Sequence, residues 1–375
     1  MADVDRILIV GGGIGGLTLA TALQSQGYTP ELIERSTAWP AIGAGINLPA
    51  NGVRVLRTLG LGEAVDRYAA VLRRWGFFDE QGELLCETDL EELWRDVGPC
   101  LAVTRVRLQE ALLTGAAAVP HRLGVSLTAL TQDATRVQVS LSDGSYGDYD
   151  LVVGADGIYS TVRELAVKSS SPSYAGQMVW RSIIPTRPPG IVEMMVLMGE
   201  GCIFGVVPMG EGYTYGFGAV DGRRLKDPLA GRLERFRRRF AGFGEPVPAY
   251  LAALRCGEQL IVGPIEWVEL DEWYRGRVVL IGDAAHAGPP HMGEGDCMAM
   301  EDALVLADCL PRADSVERAL EVYVRRRRPR ADWVQTQSRA AAQAWVLPPA
   351  VRNAALRERG DQMFRDRYRP LISAP

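Results

Sequence analysis

The pattern of apolar positions near the N-terminus changes from a strand to a helix and back to a strand. Arg6–Val10 is a mainly apolar run, the apolar residues of Gly15–Gln26 recur every three or four positions, and Pro30–Glu34 is a second short run. This order predicts a β-α-β unit of about 30 residues. Asp150–Gly154 and Arg277–Ile281 have the same strand texture and predict two more buried strands.

Between residues 174 and 220 the apolar runs become shorter, and glycine or proline separates them. Such runs predict an antiparallel sheet, with strands at Met178–Ile184, Glu193–Met198, Cys202–Val207 and Tyr213–Ala219. A hairpin is predicted earlier, where Asp79–Gly82 separates Trp75–Phe78 from Glu83–Cys86. The predicted fold class is therefore α/β, with an antiparallel sheet inserted into a domain that later resumes.

Helical spacing recurs along the rest of the chain. It predicts helices at Asn51–Leu59, Arg105–Ala117, Leu229–Ala241, Pro248–Cys256, Asp296–Leu310, Ser315–Arg339 and Pro349–Tyr368. Two further strands are predicted at Val125–Leu130 and Arg136–Leu141. The basic run Arg325–Arg330 is interpreted as a solvated helix face that ends at Pro329, in preference to a nucleic-acid patch.

Composition narrows the class of protein. The 375 residues exceed the ~250–300 at which a single core stops growing, so two domains or a large insertion are expected. A net charge of −5 gives no general attraction to nucleic acid or to anionic membranes. The six cysteines include no CxxC pair, and the N-terminal apolar run is too short for a signal peptide or a membrane span. We expect a cytoplasmic protein without a metal site.

The segment Gly11–Gly16 fits the GxGxxG pattern, with a predicted strand before it and a predicted helix after it. Gly11 permits the tight turn, Gly13 lets a pyrophosphate approach the backbone, and Gly16 lets helix and strand pack closely. Glu34 follows 18 residues after Gly16, where a carboxylate can bind a ribose 2′-hydroxyl and disfavours a 2′-phosphate. The pattern does not separate NAD from FAD, and its alternative is a turn that binds nothing.

A second candidate anion site lies about 270 residues further on, in Gly282–Ala303. Gly282-Asp283 ends a predicted strand, a loop of Ala, Gly and Pro follows, and a helix is predicted to begin near Asp296. A strand, a glycine-rich loop and a helix N-terminus together favour an anionic group. Two such sites predict one long ligand that is held at both ends.

Several polar and aromatic residues have two interpretations each. Asp156 follows a predicted strand and either accepts a hydrogen bond from an arginine or a water, or belongs to a simple Asp-Gly turn. His286 and His291 could contact substrate, but we favour backbone capping, and we place His121 in a surface loop. Five aromatic residues of the inserted sheet alternate at strand spacing, so one set of them faces one side of the sheet. That set belongs either to the core or to the wall of a pocket; the five are Trp180, Phe204, Tyr213, Tyr215 and Phe217.

Taken in this order and spacing, the motifs resemble the FAD-dependent aromatic hydroxylases, the single-component flavoprotein monooxygenases of the para-hydroxybenzoate hydroxylase type. The closer resemblance is to the salicylate- and urate-hydroxylase-like branch. It rests on GGGIGG with Glu34-Arg35, GADG at 154–157, Gly282-Asp283, Pro290, GEG at 293–295 and Glu301-Asp302-Ala303. The segments Ala41–Leu61, Thr104-Arg105 and Tyr174–Arg181 extend it, and it covers residues 4 to about 330.

The resemblance implies a Rossmann-like FAD-binding domain with an inserted antiparallel-sheet substrate domain and C-terminal helices. The expected FAD-binding domain is discontinuous and comprises residues 1–75, 98–172 and 268–340. The substrate sheet would come from residues 76–97 and 173–267, and a helical tail from 341–375.

The resemblance also implies bound FAD, transient reduction by NADH or NADPH, and O2 as cosubstrate. Arg105 would reach the pyrophosphate or ribityl chain near Asp156, Asp283 would bind the ribityl hydroxyls, and the helix near Asp296 would point its positive end at flavin N1. The implied cofactor-binding residues are Gly11, Gly13, Gly16, Glu34, Arg35, Gly45, Ile46, Arg105, Leu127, Asp156, Asp283, Pro290, Gly293 and Gly295.

Catalytic residues are not assigned, and the candidates for the substrate pocket are Arg181, Tyr213, Tyr215 and His291. Arg181 could pair with an anionic substrate or form an exposed ion pair. The chain departs from the family at Glu294, where glutamine is usual, and in the methionine-rich Met292–Met300. A carboxylate beside a reduced flavin would have a raised pKa or lower the flavin potential, unless it points away or finds an arginine.

The expected activity is hydroxylation of an electron-rich, aromatic small molecule by a monomer or homodimer. A halogenase is disfavoured because the GWxWxIP stretch is missing and the two lysines, Lys168 and Lys226, are poorly placed. A flavin-dependent dehydrogenase or reductase of a polycyclic or prenyl substrate stays an alternative. A non-catalytic flavin-binding protein would have lost Glu34, Arg105 or Asp283, and all three are present.

Overall fold

A computed structural model describes residues 4–39, 44–167 and 171–375. Lys168 and the first residues of Ala41–Leu61 lie outside these ranges. The strands are β1 Ile7–Val10, β2 Glu31–Glu34, β3 Gly45–Leu48, β4 Ala70–Leu72, β5 Arg74–Asp79, β6 Leu84–Asp89, β7 Cys100–Thr104, β8 His121–Leu123, β9 Leu127–Gln132, β10 Val137–Leu141, β11 Tyr146–Tyr149, β12 Leu151–Gly154, β13 Ser173–Ile184, β14 Met194–Met198, β15 Cys202–Pro208, β16 Thr214–Asp221, β17 Ile261–Trp267, β18 Tyr274–Arg275 and β19 Val278–Leu280.

The predicted helices are present to within a few residues at most ends, whereas the short helices α3, α4 and α9 were not predicted. They are α1 Ile14–Ser25, α2 Ala50–Thr58, α3 Gly62–Asp66, α4 Leu90–Leu93, α5 Arg105–Gly115, α6 Thr161–Val167, α7 Arg232–Arg239, α8 Val247–Ala253, α9 Asp283–His286, α10 Gly295–Cys309, α11 Val316–Trp345 and α12 Pro349–Tyr368. In the residues described, no helix combines the length and the apolar character needed to cross a membrane.

A sheet with the strand order β18-β19-β12-β1-β2-β8 forms the centre of the first lobe. The β1 strand pairs in parallel with β12 and β2, and β12 pairs in parallel with β19, so segments far apart in sequence lie side by side. These strands are almost wholly apolar because they are buried in one core, which they share with α1, α5, α10 and the three-stranded sheet β11-β10-β9. The carboxyl ends of β1, β12 and β19 therefore meet at one edge, and the predicted α/β fold class is confirmed.

The second lobe is built on a sheet with the order β17-β13-β16-β15-β14-β5-β6. Its neighbouring strands are antiparallel, except that β14 runs parallel to β5. Trp180 and Phe204 point to the face that α7 and α8 cover, and they pack with Phe236. The alternate residues, among them Val179 and Tyr215, point to the opposite face. Because successive strand residues point to opposite faces, one face is core and the other is free to border a site.

The α11 helix corrects the interpretation of Arg325–Arg330. It continues through Pro329 and ends at Trp345, and Arg327 is 0% exposed. Proline removes one helical hydrogen bond, but the bond it removes lies on the exposed side, and the buried side of α11 packs on α10. Tertiary packing thus keeps the helix intact where the local pattern indicates an end.

The proposed domain boundaries stay a prediction. The boundary between residues 75 and 76 falls inside β5, and that between 340 and 341 falls inside α11. The short sheet of order β3-β7-β4 was not predicted, and His121 lies exposed on the edge strand β8 instead of in a loop.

Candidate cofactor and substrate site

The glycine turn after β1 has the geometry that each of its predicted glycines requires. Gly11 has φ +111°, and a Cβ there would lie 2.4 Å from the carbonyl oxygen of Ala155. A Cβ on Gly16 would lie 1.9 Å from the carbonyl oxygen of Gly11, so this glycine allows the helix to pack on the turn. A Cβ on Gly13 would meet nothing within 4 Å, because Gly13 borders a cavity. The turn therefore leaves room for a ligand at its exposed amides.

The cavity beside the turn has a volume of about 290 Å³. Glu34 lies on its wall, where Oε2 accepts a hydrogen bond from the Gly12 N–H at 2.8 Å and Oε1 accepts one from the Ser36 N–H at 2.8 Å. These bonds fix the carboxylate at the end of β2. Arg35 and Leu127 line the same cavity, as do Gly11 and Gly13.

Asp156 lines this cavity too, but its hydrogen bonds run along its own chain. Oδ2 accepts from the backbone N–H groups of Thr161 at 2.7 Å and Val162 at 3.1 Å, and Oδ1 accepts from the Ser160 hydroxyl. Asp156 thus caps the start of α6, and the expectation that it accepts from an arginine is not met. Burial raises the pKa of this carboxyl, although the hydrogen bonds oppose the rise.

A larger cavity of about 720 Å³ continues from the first one towards the second lobe. Arg105 and Tyr159 line both cavities and so mark the place where they meet. Arg105 is the first residue of α5, and its guanidinium forms no ion pair in the part of the chain that the structure describes. The two cavities together make the long site that two separate anion sites predicted.

Asp283 borders the larger cavity directly after Gly282, which lies two residues beyond β19 and has φ +57°. Its carboxyl is exposed to the cavity but surrounded by protein, so burial raises its pKa, and the neighbouring Asp296 raises it further. Gly293 and Gly295 line the cavity next to it, together with Pro290.

The α10 helix begins at this wall of the cavity. Gly293 adopts a left-handed conformation with φ +65°, and the helix follows at Gly295 without a side-chain cap. The unpaired N–H groups of its first turn give that end a partial positive charge. This is the helix N-terminus that the sequence predicted near Asp296.

Glu294 belongs to the loop that lines the larger cavity, but its side chain is buried. It is 1% exposed, and its Oε2 accepts a hydrogen bond from the Asn51 amide at 2.9 Å. Oε1 is buried and has no hydrogen-bond partner among the residues that the structure describes. Burial, reinforced by the charge of Glu301, raises the pKa of Glu294 to about 8, although Asn51 opposes the rise. The carboxyl is therefore mostly protonated at neutral pH. A glutamate in place of the glutamine that is usual in the family thus changes the charge of this loop little.

A network of buried ion pairs and hydrogen bonds holds the segment Gly282–His286, which carries Asp283. Asp302 Oδ2 accepts from the Gly282 N–H at 2.9 Å and lies 2.6 Å from His286 Nε2. Arg327 donates from Nε to Asp302 Oδ1 and from Nη1 to Glu301 Oε2, each at 2.7 Å. Burial alone would raise the pKa of Asp302, but His286 and Arg327 hold it below the ordinary value. His286 thus binds a carboxylate, and the expectation that it caps backbone groups is wrong.

The far end of the larger cavity is apolar and borders the second lobe. Tyr215 and Arg181 line it, as the sequence proposed. Tyr213 and His291 are not among the described residues that line it. His291 packs edge-on to Trp345 with ring centroids 5.7 Å apart, and burial lowers its pKa to about 4. The apolar wall is formed by Trp75, Val179, Met194, Val207, Phe217, Ile265, Met298 and Val334.

The structure brings nearly all the predicted cofactor residues to one continuous site. Gly16 is the exception, since it serves packing behind the turn. Gly45 and Ile46 lie where β3 meets the second lobe, and a Cβ on Gly45 would lie 2.5 Å from the Tyr215 side chain. Sequence reasoning missed the contribution of α11, which lines the cavity with Ala331, Val334, Gln335 and Ser338. Their helical spacing of three and four was a usable signal.

This geometry indicates a protein that binds a dinucleotide-type cofactor. The cofactor site opens into an apolar pocket, and the sheet of the second lobe forms one wall of that pocket. The sequence matches the FAD binding domain family over residues 4–222 and 264–338. The chain therefore belongs to the FAD binding domain family, and its cofactor is FAD.

Curated relatives agree with this assignment. The chain is 34% identical to the aurachin C monooxygenase/isomerase of Stigmatella aurantiaca over 327 residues, which are 84% of this chain and 83% of that protein. It is 31% identical to the FAD-dependent urate hydroxylase of Klebsiella pneumoniae, covering 85% of this chain and 84% of the relative. The resemblance to the urate-hydroxylase branch is confirmed.

A solved structure shows the same architecture. Klebsiella pneumoniae HpxO, in complex with FAD and uric acid, matches with a TM-score of 0.90 at 29% identity, over 99% of this chain and 97% of that one. The expected arrangement of a cofactor domain with an inserted sheet and C-terminal helices is thereby confirmed.

Proposed function

We propose that this protein is an FAD-dependent monooxygenase that uses NADH or NADPH and O2 to hydroxylate an electron-rich aromatic small molecule. One observation supports this best: a continuous cavity leads from the glycine turn to an apolar end walled by Trp75, Tyr215 and Phe217. A pocket of this kind suits a flat ring. The names of the relatives, a monooxygenase/isomerase and a urate hydroxylase, support the same reaction type.

The residues of the site fit FAD. The amides of the glycine turn would hold the pyrophosphate, with Arg105 as a counter-charge at the junction of the two cavities. Glu34 would bind the adenosine ribose, because its carboxylate already lies at the wall. Asp283 would bind the ribityl hydroxyls, and an unpaired carboxyl with a raised pKa is suited to exchange hydrogen bonds with them.

The loop Gly293–Gly295 would face the flavin pyrimidine, and the N-terminus of α10 would stabilise negative charge on the reduced ring. A helix N-terminus contributes about 0.3–2 kcal/mol to such a charge. When bound and reduced, FAD activates O2 so that one oxygen atom is transferred to the organic substrate. The protein binds the substrate ring at the apolar end and keeps water from it.

The reductant is proposed to bind transiently. The sequence contains one GxGxxG turn, and the cofactor site accounts for it, so no second dinucleotide fingerprint is left for NADH or NADPH. We propose a cytoplasmic monomer or homodimer whose partner is a small molecule.

The test combines cofactor content with oxygen labelling. Purified protein is expected to be yellow, to release FAD on denaturation, and to consume NADH or NADPH faster when an aromatic substrate is added. Products formed under ¹⁸O2 should carry one labelled oxygen atom. A colourless protein that FAD cannot reconstitute would refute the proposal, and stimulated oxidation without label would favour the dehydrogenase instead.

A further inference from the structure

We propose that Tyr368, at the end of the C-terminal helix α12, is a positioning residue for the loop Met292–Gly295 and so sets the affinity and the midpoint potential of bound FAD. This inference rests on the proposed function, in which that loop faces the flavin pyrimidine. It follows from one hydrogen bond between segments that lie 76 residues apart: the Tyr368 hydroxyl donates to the Met292 carbonyl oxygen at 2.6 Å.

Other aromatic rings fix the direction of the Tyr368 hydroxyl. The Tyr368 side chain is buried, and its ring stacks on Phe364 with the centroids 4.6 Å apart. Trp94 packs edge-on to it at 6.0 Å, and Trp75 lies tilted against it at 6.4 Å. Burial raises the pKa of Tyr368 well above its ordinary value, so the hydroxyl keeps its proton and acts as a donor. A ring packed in this way presents that donor at one place.

The acceptor lies where the chain turns into α10. Met292 is buried and ends the short 3₁₀ turn Pro290–Met292, and Gly293 then takes the left-handed conformation from which α10 begins at Gly295. The two glycines border the cavity but have no side chains with which to anchor the loop. The position of the Met292 carbonyl therefore affects the position of the whole turn.

The loop is held from two sides by residues of other elements. Tyr368 binds the carbonyl of Met292, and Asn51 of α2 donates to the carboxyl of Glu294 at 2.9 Å. These two bonds come one residue before Gly293 and one residue after it. The conformation of Gly293 is thus fixed by its neighbours on both sides.

The α12 helix can serve as a support because it is itself attached to both lobes. At its start, Arg352 donates to the carbonyl of Met198, the last residue of β14, at 2.8 Å. Beyond its end, Arg54 of α2 donates to the carbonyl of Ile372 at 2.7 Å. Tyr368 lies between these two attachments, so its hydroxyl has a defined position relative to the cofactor lobe.

Loss of the hydroxyl should displace the loop, because a buried carbonyl oxygen without a donor is unfavourable and a shift of the loop relieves it. The partial positive charge of a helix N-terminus acts only within about its first turn, so a shifted start of α10 stabilises the flavin less. The reduced ring carries more negative charge than the oxidised ring and should lose more of its binding. Both the affinity and the midpoint potential should therefore fall.

The experiment uses Tyr368→Phe, which removes the hydroxyl and keeps the ring. FAD affinity is measured by fluorescence titration, and the midpoint potential of bound FAD is measured without oxygen against a reference dye. We expect the affinity for oxidised FAD to fall at least about threefold. Reduced FAD should lose a further factor of about three to ten, which makes the midpoint potential about 15–30 mV more negative for a two-electron couple.

Tyr250→Phe is the matched control. Tyr250 is also buried, and its hydroxyl donates to the carbonyl of Ser182 at 3.0 Å, on the face of the second sheet that α7 and α8 cover. This variant loses the same kind of bond away from the cofactor loop. It should lower the free energy of unfolding but keep the affinity and the potential of wild type.

A second variant covers the case in which Tyr368→Phe does not fold. Phe364→Leu keeps the hydroxyl but removes the ring that stacks on Tyr368, so the donor is held less firmly. It should make the midpoint potential more negative by a smaller amount, and an unchanged potential would count against the inference in the same way.

Two results would overturn the inference: a Tyr368→Phe protein whose midpoint potential equals that of wild type, whatever its affinity, or a Tyr250→Phe protein whose potential shifts as much. The proposed function is judged on wild-type protein alone, from its FAD content and the labelled oxygen in its product. A wild type that meets both criteria, together with an unshifted Tyr368→Phe potential, would refute only the role of Tyr368.

Discussion

Replacing Glu294 with glutamine should stabilise the protein, and the gain should grow with pH. The unfolded carboxyl loses its proton near its ordinary pKa of 4.5, whereas burial keeps the folded carboxyl protonated up to about pH 8. Between these values the unfolded state binds fewer protons, so the free energy of unfolding falls as pH rises. The contribution of the protonated Glu294 carboxyl to the stability of the wild-type protein is present in full below about pH 4.5. It is lost progressively as the pH rises to about 8.

The size of the effect follows from the two pKa values. Each pH unit between them corresponds to about 1.4 kcal/mol, which gives about 3 kcal/mol at pH 7 and about 5 kcal/mol above pH 8 as an upper bound. Glutamine has the same shape and does not ionise. Its amide oxygen can still accept the hydrogen bond that Asn51 donates to Glu294 at 2.9 Å. The amide nitrogen would occupy the place of the unpaired Oε1, which lowers the free energy of unfolding of the variant by an amount that does not depend on pH.

The assay is urea unfolding at fixed excess FAD, at half-unit intervals from pH 5 to pH 9. The control is Glu358→Gln, the same chemical change at an exposed position of α12, which should show no pH-dependent difference from wild type. A difference between Glu294→Gln and wild type that stays flat across this range, or that shrinks as pH rises, would show that Glu294 is ionised in the folded protein.

Four further substitutions test the site and its support. Arg327→Leu should lower the free energy of unfolding by about 3–5 kcal/mol, because it removes the buried arginine that pairs with both Glu301 and Asp302. The exposed Arg325→Leu should change it by under about 0.5 kcal/mol in the same urea titrations. Asp283→Ala should weaken FAD binding at least about tenfold in a fluorescence titration, and unchanged affinity would contradict its role. Gly13→Val should lose FAD while its far-ultraviolet circular dichroism stays native, since the new side chain fills the space beside the turn.

The features that were predicted correctly from the sequence are those that local patterns encode. The β-α-β unit and the glycine turn of Gly11–Gly16 depend on periodicity and on residues adjacent in the chain, so the structure confirms them. The start of α10 at Gly295 could also be predicted from local sequence, because a strand, a glycine-rich loop and an apolar helix follow one another directly.

The features that were not predictable depend on partners distant in sequence. Arg327 belongs to a run of arginines that resembles a solvated face, and only the position of Asp302 and Glu301, some 25 residues earlier, makes it a buried counter-ion. The direction of Glu294 depends on Asn51, 243 residues away. Tyr213 and Tyr215 have the spacing of one face, but Tyr213 lies before β16, directly after the turn Gly210–Gly212. The alternating pattern does not show where the strand begins, so it could not show that Tyr215 lines the cavity and Tyr213 does not.

The buried network and the cofactor loop act as one unit. Asp302 holds the Gly282 amide and His286, so it positions the residues on either side of Asp283. Glu301 is bound by Arg327 and also by Arg330, whose Nη groups donate to the carbonyls of Pro370 and Leu371 beyond α12. The C-terminal segment is thus linked to Glu301 through Arg330, which pairs with that carboxylate and donates hydrogen bonds to two backbone carbonyls. Weakening the Arg330–Glu301 link should loosen FAD binding even though neither residue is among the described residues that line the cavity.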